Sequence, residues 1–281
     1  MRYLGFTLLV LLMLSGCTAN IGYQFADTLV EWRVKEYVEL NSEQEETLAK
    51  KVDELHLWHA RTQIPKYREA LFNLRQKVNN KTLEKSDIVE FERTLLGFWQ
   101  NLLDRAAAET ALINQLSVTQ KQQLVERIEE KQQDRFEKFE EKQSENPILR
   151  QLERANEVES DLEDIIGDLT EQQDKLLRDW VSNSPSIQED WLNYRAMWLT
   201  EFETVLLTEP TDINKLSALI QNPKQLRSEA LQEKIEQSSD ARNTFLWNMY
   251  VSLSDKQRKA AVAKADEYID LLDDITEDFK G

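Results

Sequence analysis

Glycine and proline are so sparse in this chain, six and five among 281 residues, that little of it can turn tightly. A hairpin-rich sheet needs residues that tolerate positive φ at its turns, and a phosphate-cradling loop needs glycine for close backbone approach. Beyond Gly5 and Gly16 near the N-terminus, the glycines are Gly22, Gly97, Gly167 and Gly281, too scattered for either. The long stretches between them are rich in Leu, Glu, Gln, Lys and Ala, all strong helix formers. The sequence therefore predicts an all-α fold, a multi-helix bundle of antiparallel amphipathic helices.

Apolar residues recur at steps of three and four, as one face of a helix requires. Ile88, Phe91, Leu95, Trp99 and Leu102 form one such stripe. Leu152, Ala155, Leu162, Ile165 and Leu169 form another, and Ile187, Trp191, Tyr194, Trp198, Phe202 and Val205 a third. An aromatic run at this spacing reads as core packing rather than a ligand grip. The last helix carries Val262, Ala265, Ile269, Leu272 and Phe279 on one face, with Asp266, Asp270, Asp273 and Asp274 largely elsewhere. Asn146-Pro147, Ser184-Pro185 and Asn222-Pro223 each place a capping side chain before a proline, predicting an N-cap followed by the first helical residue. Pro65 and Pro210 mark further breaks.

One local pattern occurs four times, at Leu40-Asn41-Ser42-Glu43-Gln44, Leu116-Ser117-Val118-Thr119-Gln120, Leu169-Thr170-Glu171-Gln172-Gln173 and Leu253-Ser254-Asp255-Lys256-Gln257. A capping residue follows the leucine and a glutamine follows three positions later, which is a capping box at a helix start. Leu48, Leu124, Leu177 and Ala261 lie eight positions after the respective leucines, so each leucine is expected to pack alongside the helix it precedes. The unequal spacings exclude a solenoid period.

The first sixteen residues read as a signal peptide: Arg2, an apolar run from Leu4 to Leu14, then small residues. That run is shorter than the roughly 20 apolar residues a spanning helix needs. Leu14-Ser15-Gly16-Cys17 resembles the bacterial lipobox, which implies cleavage before Cys17 and attachment of diacylglycerol and an N-acyl chain to it. Cys17 is the only cysteine, so no intrachain disulfide can form. Two or three acyl chains give an effectively permanent membrane anchor, where one would be marginal. Thr18 rather than Asp at the second mature position implies, by the sorting rule of such lipoproteins, the outer membrane and its periplasmic face. Residues 17–22 then form the lipidated cysteine and a short tether, and residues 23–281 a helical periplasmic domain.

A net charge of −17 disfavours nucleic acid, whose phosphates must be met by clustered Lys and Arg. With 41% hydrophobic residues the chain can nevertheless bury a sizeable core. Gly-x-Ser-x-Gly, Walker A, His-Glu-x-x-His and dinucleotide-binding patterns do not occur, and the sole thiol is assigned to lipid. The runs of carboxylates, such as Asp161, Glu163, Asp164 and Asp168, read as solvated faces. The two histidines, His56 and His59, lie near Asp53 but supply too few ligands for a persuasive metal centre. No cofactor and no small-molecule substrate is evident, and the expectation is a protein that is not an enzyme.

Two resemblances add to this. Gly22-Tyr23, Ala26-Asp27, Trp32, Tyr37-Val38 and Leu40, then Trp58-His59-Ala60-Arg61, Ile64-Pro65-Lys66-Tyr67 and Leu71, resemble an uncharacterised family of proteobacterial lipoproteins carrying a domain of unknown function. That resemblance implies a helical envelope lipoprotein and supplies no activity. The repeated capping pattern, nearest at Leu169-Thr170-Glu171-Gln172-Gln173, resembles the LTxxQ motif of Spy-type periplasmic chaperones.

Trp58, His59, Arg61 and Tyr67 cluster around the break at Pro65 and are the candidate partner-binding residues. Arg61 offers a planar fork of donors, and the aromatic rings could flank a cation or a backbone. A polar network tying two helices together is the other reading of the same residues. The function expected from the sequence is that of a lipid-anchored protein that binds envelope proteins or unfolded clients, in a chaperone-like manner. The alternative is a structural adaptor for one cell-envelope complex.

Overall fold

A computed structural model describes Asn20 and residues 22–280. The signal peptide, Cys17 and Thr18 lie outside the described residues. Eleven α-helices and two 3-10 turns are described between Ala26 and Asp278, and no strand occurs among the described residues, so the fold is all-α. The helices are α1 (Ala26–Lys35), α2 (Ser42–Thr62), α3 (Ile64–Asn79), α4 (Lys85–Ala107), α5 (Val118–Ser144), α6 (Pro147–Ile166), α7 (Glu171–Asn183), α8 (Gln188–Leu207), α9 (Ile213–Gln221), α10 (Glu229–Val251) and α11 (Asp255–Asp278).

Burial is divided among three apolar clusters. Val125 of α5, Leu199, Phe202, Val205 and Leu206 of α8, and Leu216 and Leu219 of α9 make the first, with Trp198 packed against it. The aromatic stripe of α8 is therefore core, and Trp198 stacks on Phe202 at 5.2 Å. Ala155 and Ile166 of α6, Leu177 and Val181 of α7, and Phe245 and Met249 of α10 make the second. The third joins Ile64 of α3 to Leu271, Leu272 and Ile275 of α11, the most extensive helix pairing in the molecule. Arg75 grips Asp266 through two bonds of 2.8 and 2.7 Å, and Arg68 grips Asp273 at 3.1 Å, so part of the acid on α11 sets the register of that pair.

All four capping boxes form where the sequence places them, with Asn41, Ser117, Thr170 and Ser254 as N-caps of α2, α5, α7 and α11. They also pair. The Gln44 amide donates to Gln120 Oε1 at 3.1 Å, and the Gln120 amide returns a bond of 2.7 Å to Gln44 Oε1. Each of these amides also donates to the carbonyl two residues before the other's N-cap, Gln44 to Gln115 and Gln120 to Glu39, both at 2.6 Å. Gln173 and Gln257 repeat the arrangement, with mutual bonds of 3.1 and 2.8 Å and further donations to the carbonyls of Ser252 and Asp168. Two reciprocal glutamine clasps thus lock helix starts 76 and 84 residues apart. Around the second clasp, Leu169, Leu253 and Ala261 pack against the cluster that contains Leu177, as the motif predicts.

The structure corrects three local expectations. In α4, Phe98 is buried and Trp99 exposed, because the inward face runs Phe91, Leu95, Phe98, Leu102, and Trp99 is turned about 100° away from Phe98 on a helix of 3.6 residues per turn. Ser184 closes α7 instead of opening α8: its hydroxyl donates to the Trp180 carbonyl at 2.7 Å, and α8 begins only at Gln188. Leu152 belongs to the expected stripe of α6 yet is exposed. In contrast, Pro147 follows its N-cap Asn146 as predicted, with the Asn146 side chain accepting from the Ile148 amide at 2.9 Å.

Candidate functional site

The break at Pro65 is a single residue wide. α2 ends at Thr62, α3 begins at Ile64, and Gln63 between them is buried and accepts a bond of 3.1 Å from the Asn101 amide of α4. The short step brings His59 and Tyr67 together with their rings edge-on, His59 Nε2 lying 3.1 Å from the Tyr67 hydroxyl. The other ring nitrogen, Nδ1, lies 2.8 Å from the Tyr23 hydroxyl, contributed by the segment that precedes α1. A neutral imidazole has one donor and one acceptor nitrogen, so a tyrosine–histidine–tyrosine chain satisfies it in either tautomer.

Burial pushes the His59 pKa down to about 4, with neighbouring His56 adding to the effect. Burial raises the Tyr67 hydroxyl to about 12 and lifts that of Tyr23 further, which Tyr67 reinforces. All three groups are thereby held neutral at pH 7. Tyr67 packs on Phe98 at 4.6 Å, and Phe279 at the end of α11 meets the rings of both Tyr23 and His56 edge-on.

The four candidate residues divide. His59 and Tyr67 belong to this internal chain. Arg61 is exposed and donates from Nε to the Phe279 carbonyl at 2.9 Å, fastening the end of α11 to α2. Trp58, its ring centroid 6.4 Å from that of His59, lines an open groove with Gln63, Lys66, Asn101 and Arg105. The N-terminal segment is fastened at the same place: the Asn20 and Gln24 amides both donate to Asp278, at 3.1 and 2.9 Å. The junction therefore gathers both ends of the described chain against the α2–α3 break. Among the described residues, no group of three or more His, Cys, Asp or Glu is placed to hold a metal ion.

A second surface was not singled out in the sequence. Between Gln132 of α5 and Ala155 of α6, no residue is buried. Over this span the chain leaves the core, turns at Glu145 and Asn146, and returns. Arg150 fixes the turn by donating to the Lys142 carbonyl at 2.7 Å and to Gln143 Oε1 at 2.8 Å. From this elbow α5 runs to pack on α8, while α6 runs to α7 and α11. At the elbow Ile148, Leu149 and Leu152 are 74%, 55% and 46% exposed. Single exposed leucines are unremarkable, but here three apolar residues at nearby positions of one projecting helix start are exposed together. The signal was present in the sequence as three large apolar residues within the first six positions after Asn-Pro.

The fold and these two surfaces define an all-helical chain with a closed polar junction and a projecting apolar elbow. Residues 36–232 match a family of unknown function, DUF6279, and the chain belongs to that family. The match covers the α2–α3 break, the elbow and the first glutamine clasp. No curated protein and no solved structure matches the chain.

Proposed function

We propose that this protein is a non-catalytic lipoprotein, anchored to the outer membrane through Cys17 and facing the periplasm, that binds other polypeptides at the α5–α6 elbow. The observation that carries the reading is the exposure of Ile148, Leu149 and Leu152 on a segment that projects beyond the last buried residues of both helices. Such a surface suits an extended apolar segment of another chain, because it offers contact area with few competing internal partners. The lipobox, the acidic composition and the repeated LTxxQ-like boxes support an envelope setting and chaperone-like action.

The test uses the soluble form, Cys17→Ser without the signal peptide, and an unrelated aggregating protein. The wild-type surface slows aggregation at stoichiometric excess, and the triple variant Ile148→Ser, Leu149→Ser, Leu152→Ser loses that effect while keeping its helical signal. No effect from either form removes the chaperone component. The fastening of the N-terminal segment to Asp278 favours a second reading, an adaptor holding one envelope complex near the membrane. Crosslinking in cells separates the two, a single partner for the adaptor against many clients for the chaperone.

A further inference from the structure

Helix α1 turns its largest apolar side chains outward. Residues at i, i+4 and i+7 share one side of a helix. On α1 and its N-cap that side holds Phe25, Leu29 and Trp32, which are 58%, 57% and 58% exposed. The side turned to the protein carries acid beside the half-buried Ala26 and Val34: Asp27 lies 4.0 Å from His56 Nδ1 on α2, and Glu31, one turn on, is half-buried. No residue of α1 is fully buried. A helix that only needed to pack on α2 would turn Phe25, Leu29 and Trp32 inward, so the outward apolar face has another occupant.

From these observations we infer that the Phe25–Leu29–Trp32 face of α1 lies in the interfacial layer of the lipid bilayer. The inference rests on the anchor at Cys17 proposed above, and the geometry commits the occupant. Asn20 is bonded to Asp278, so only three residue steps, about 11 Å at full extension, separate the lipidated position from a fixed point on the folded body. Phe25 follows five positions later. A domain held that close presents its tether end to the membrane, and α1 is the apolar surface at that end. Tryptophan and phenylalanine suit the headgroup boundary, where the ring is buried among acyl carbons and its edge remains wet. Arg33 and Lys35 are exposed at the end of α1, where they pair with Glu36 and Glu45.

The experiment uses the lipidated mature protein with Leu29→Cys, whose thiol is the only free one because Cys17 carries lipid. It is labelled with an environment-sensitive dye and placed in phosphatidylethanolamine–phosphatidylglycerol vesicles. Glu201→Cys, exposed on α8, is the control. The dye at position 29 brightens, shifts to the blue and is quenched by nitroxides placed high on the acyl chains, while the dye at 201 reports water. Equal, water-like emission from both positions overturns the inference.

Palmitate labelling in cells tests the anchor separately. If no palmitate is incorporated, the anchor reading fails and the face is judged on the unlipidated Cys17→Ser protein alone. There, changing Phe25, Leu29 and Trp32 together to Ser should weaken vesicle binding about tenfold or more. Unchanged binding overturns the inference, as does concentration-dependent self-quenching of the position-29 dye without vesicles, which would assign the face to a second copy of the chain.

Discussion

At the α2–α3 junction, amphipathic helices meet partners for nearly everything they offer, whereas at the α5–α6 elbow the same kind of helix outruns its partners. His59 finds a tyrosine for each ring nitrogen, Tyr67 finds Phe98, and Arg61 finds the last carbonyl of the turn ending α11. The apolar stripe of α6 reaches full burial at Ala155 and Ile166, but continues outward through Leu152 and Leu149 to Ile148. Both regions follow one periodic pattern. The difference is whether a second helix lies opposite, and that decides which region is structural and which is available to another molecule.

The largest difference should appear on truncating one buried and one exposed leucine. Leu177, fully buried in the second cluster, should cost about 2–5 kcal/mol on change to Ala. Leu152→Ala should stay within about 0.5 kcal/mol. Chemical denaturation of the soluble form measures both. A large loss at Leu152 would mean that the elbow packs on something in the free protein.

Acid titration probes the junction. The His59 pKa falls from an ordinary 6.5 to about 4 on folding, so the unfolded chain takes up the proton first. The stability that the neutral ring contributes is complete above about pH 6.5 and is lost as pH falls toward 4. Linkage gives a loss on the order of 2 kcal/mol at pH 5. In the His59→Gln variant this slope between pH 6.5 and 4 should flatten, even if the variant is less stable throughout. An unchanged slope would show that His59 is not buried neutral between the tyrosines.

A smaller contrast lies between the two clasps. Gln173 is fully buried and Gln257 nearly so, while Gln120 is half-buried. Removing one partner strands buried amide groups of the other, at about 1–3 kcal/mol. Gln173→Ala should fall at the upper end and Gln120→Ala near the lower, because water can replace bonds lost at the more open clasp. Equal losses in thermal unfolding would remove burial as the distinction.

What could be read from the sequence was local. Each capping box closes within four residues, so all four helix starts were legible, and the apolar period revealed the helices themselves. The reciprocal clasps were not, because they join boxes 76 and 84 residues apart and depend on how the helices pack. The site shows the same limit. His59 and Tyr67 are eight residues apart across one break and could be grouped from sequence, but Tyr23 reaches His59 from 36 residues away and the Phe279 carbonyl reaches Arg61 from 218. Ser184-Pro185 looked like a helix start because a capping hydroxyl serves a helix end equally well. Leu152 looked like core because periodicity reports the face of a helix and says nothing about where its partner stops.

The proposed role requires that the α5–α6 elbow receive other polypeptides. A photoreactive amino acid placed at Ile148 in the full-length protein, in living cells, with Glu201 as the exposed control, tests it most directly. Protein adducts at position 148 should stand well above those at 201. Equal, background-level crosslinking at the two positions would contradict it.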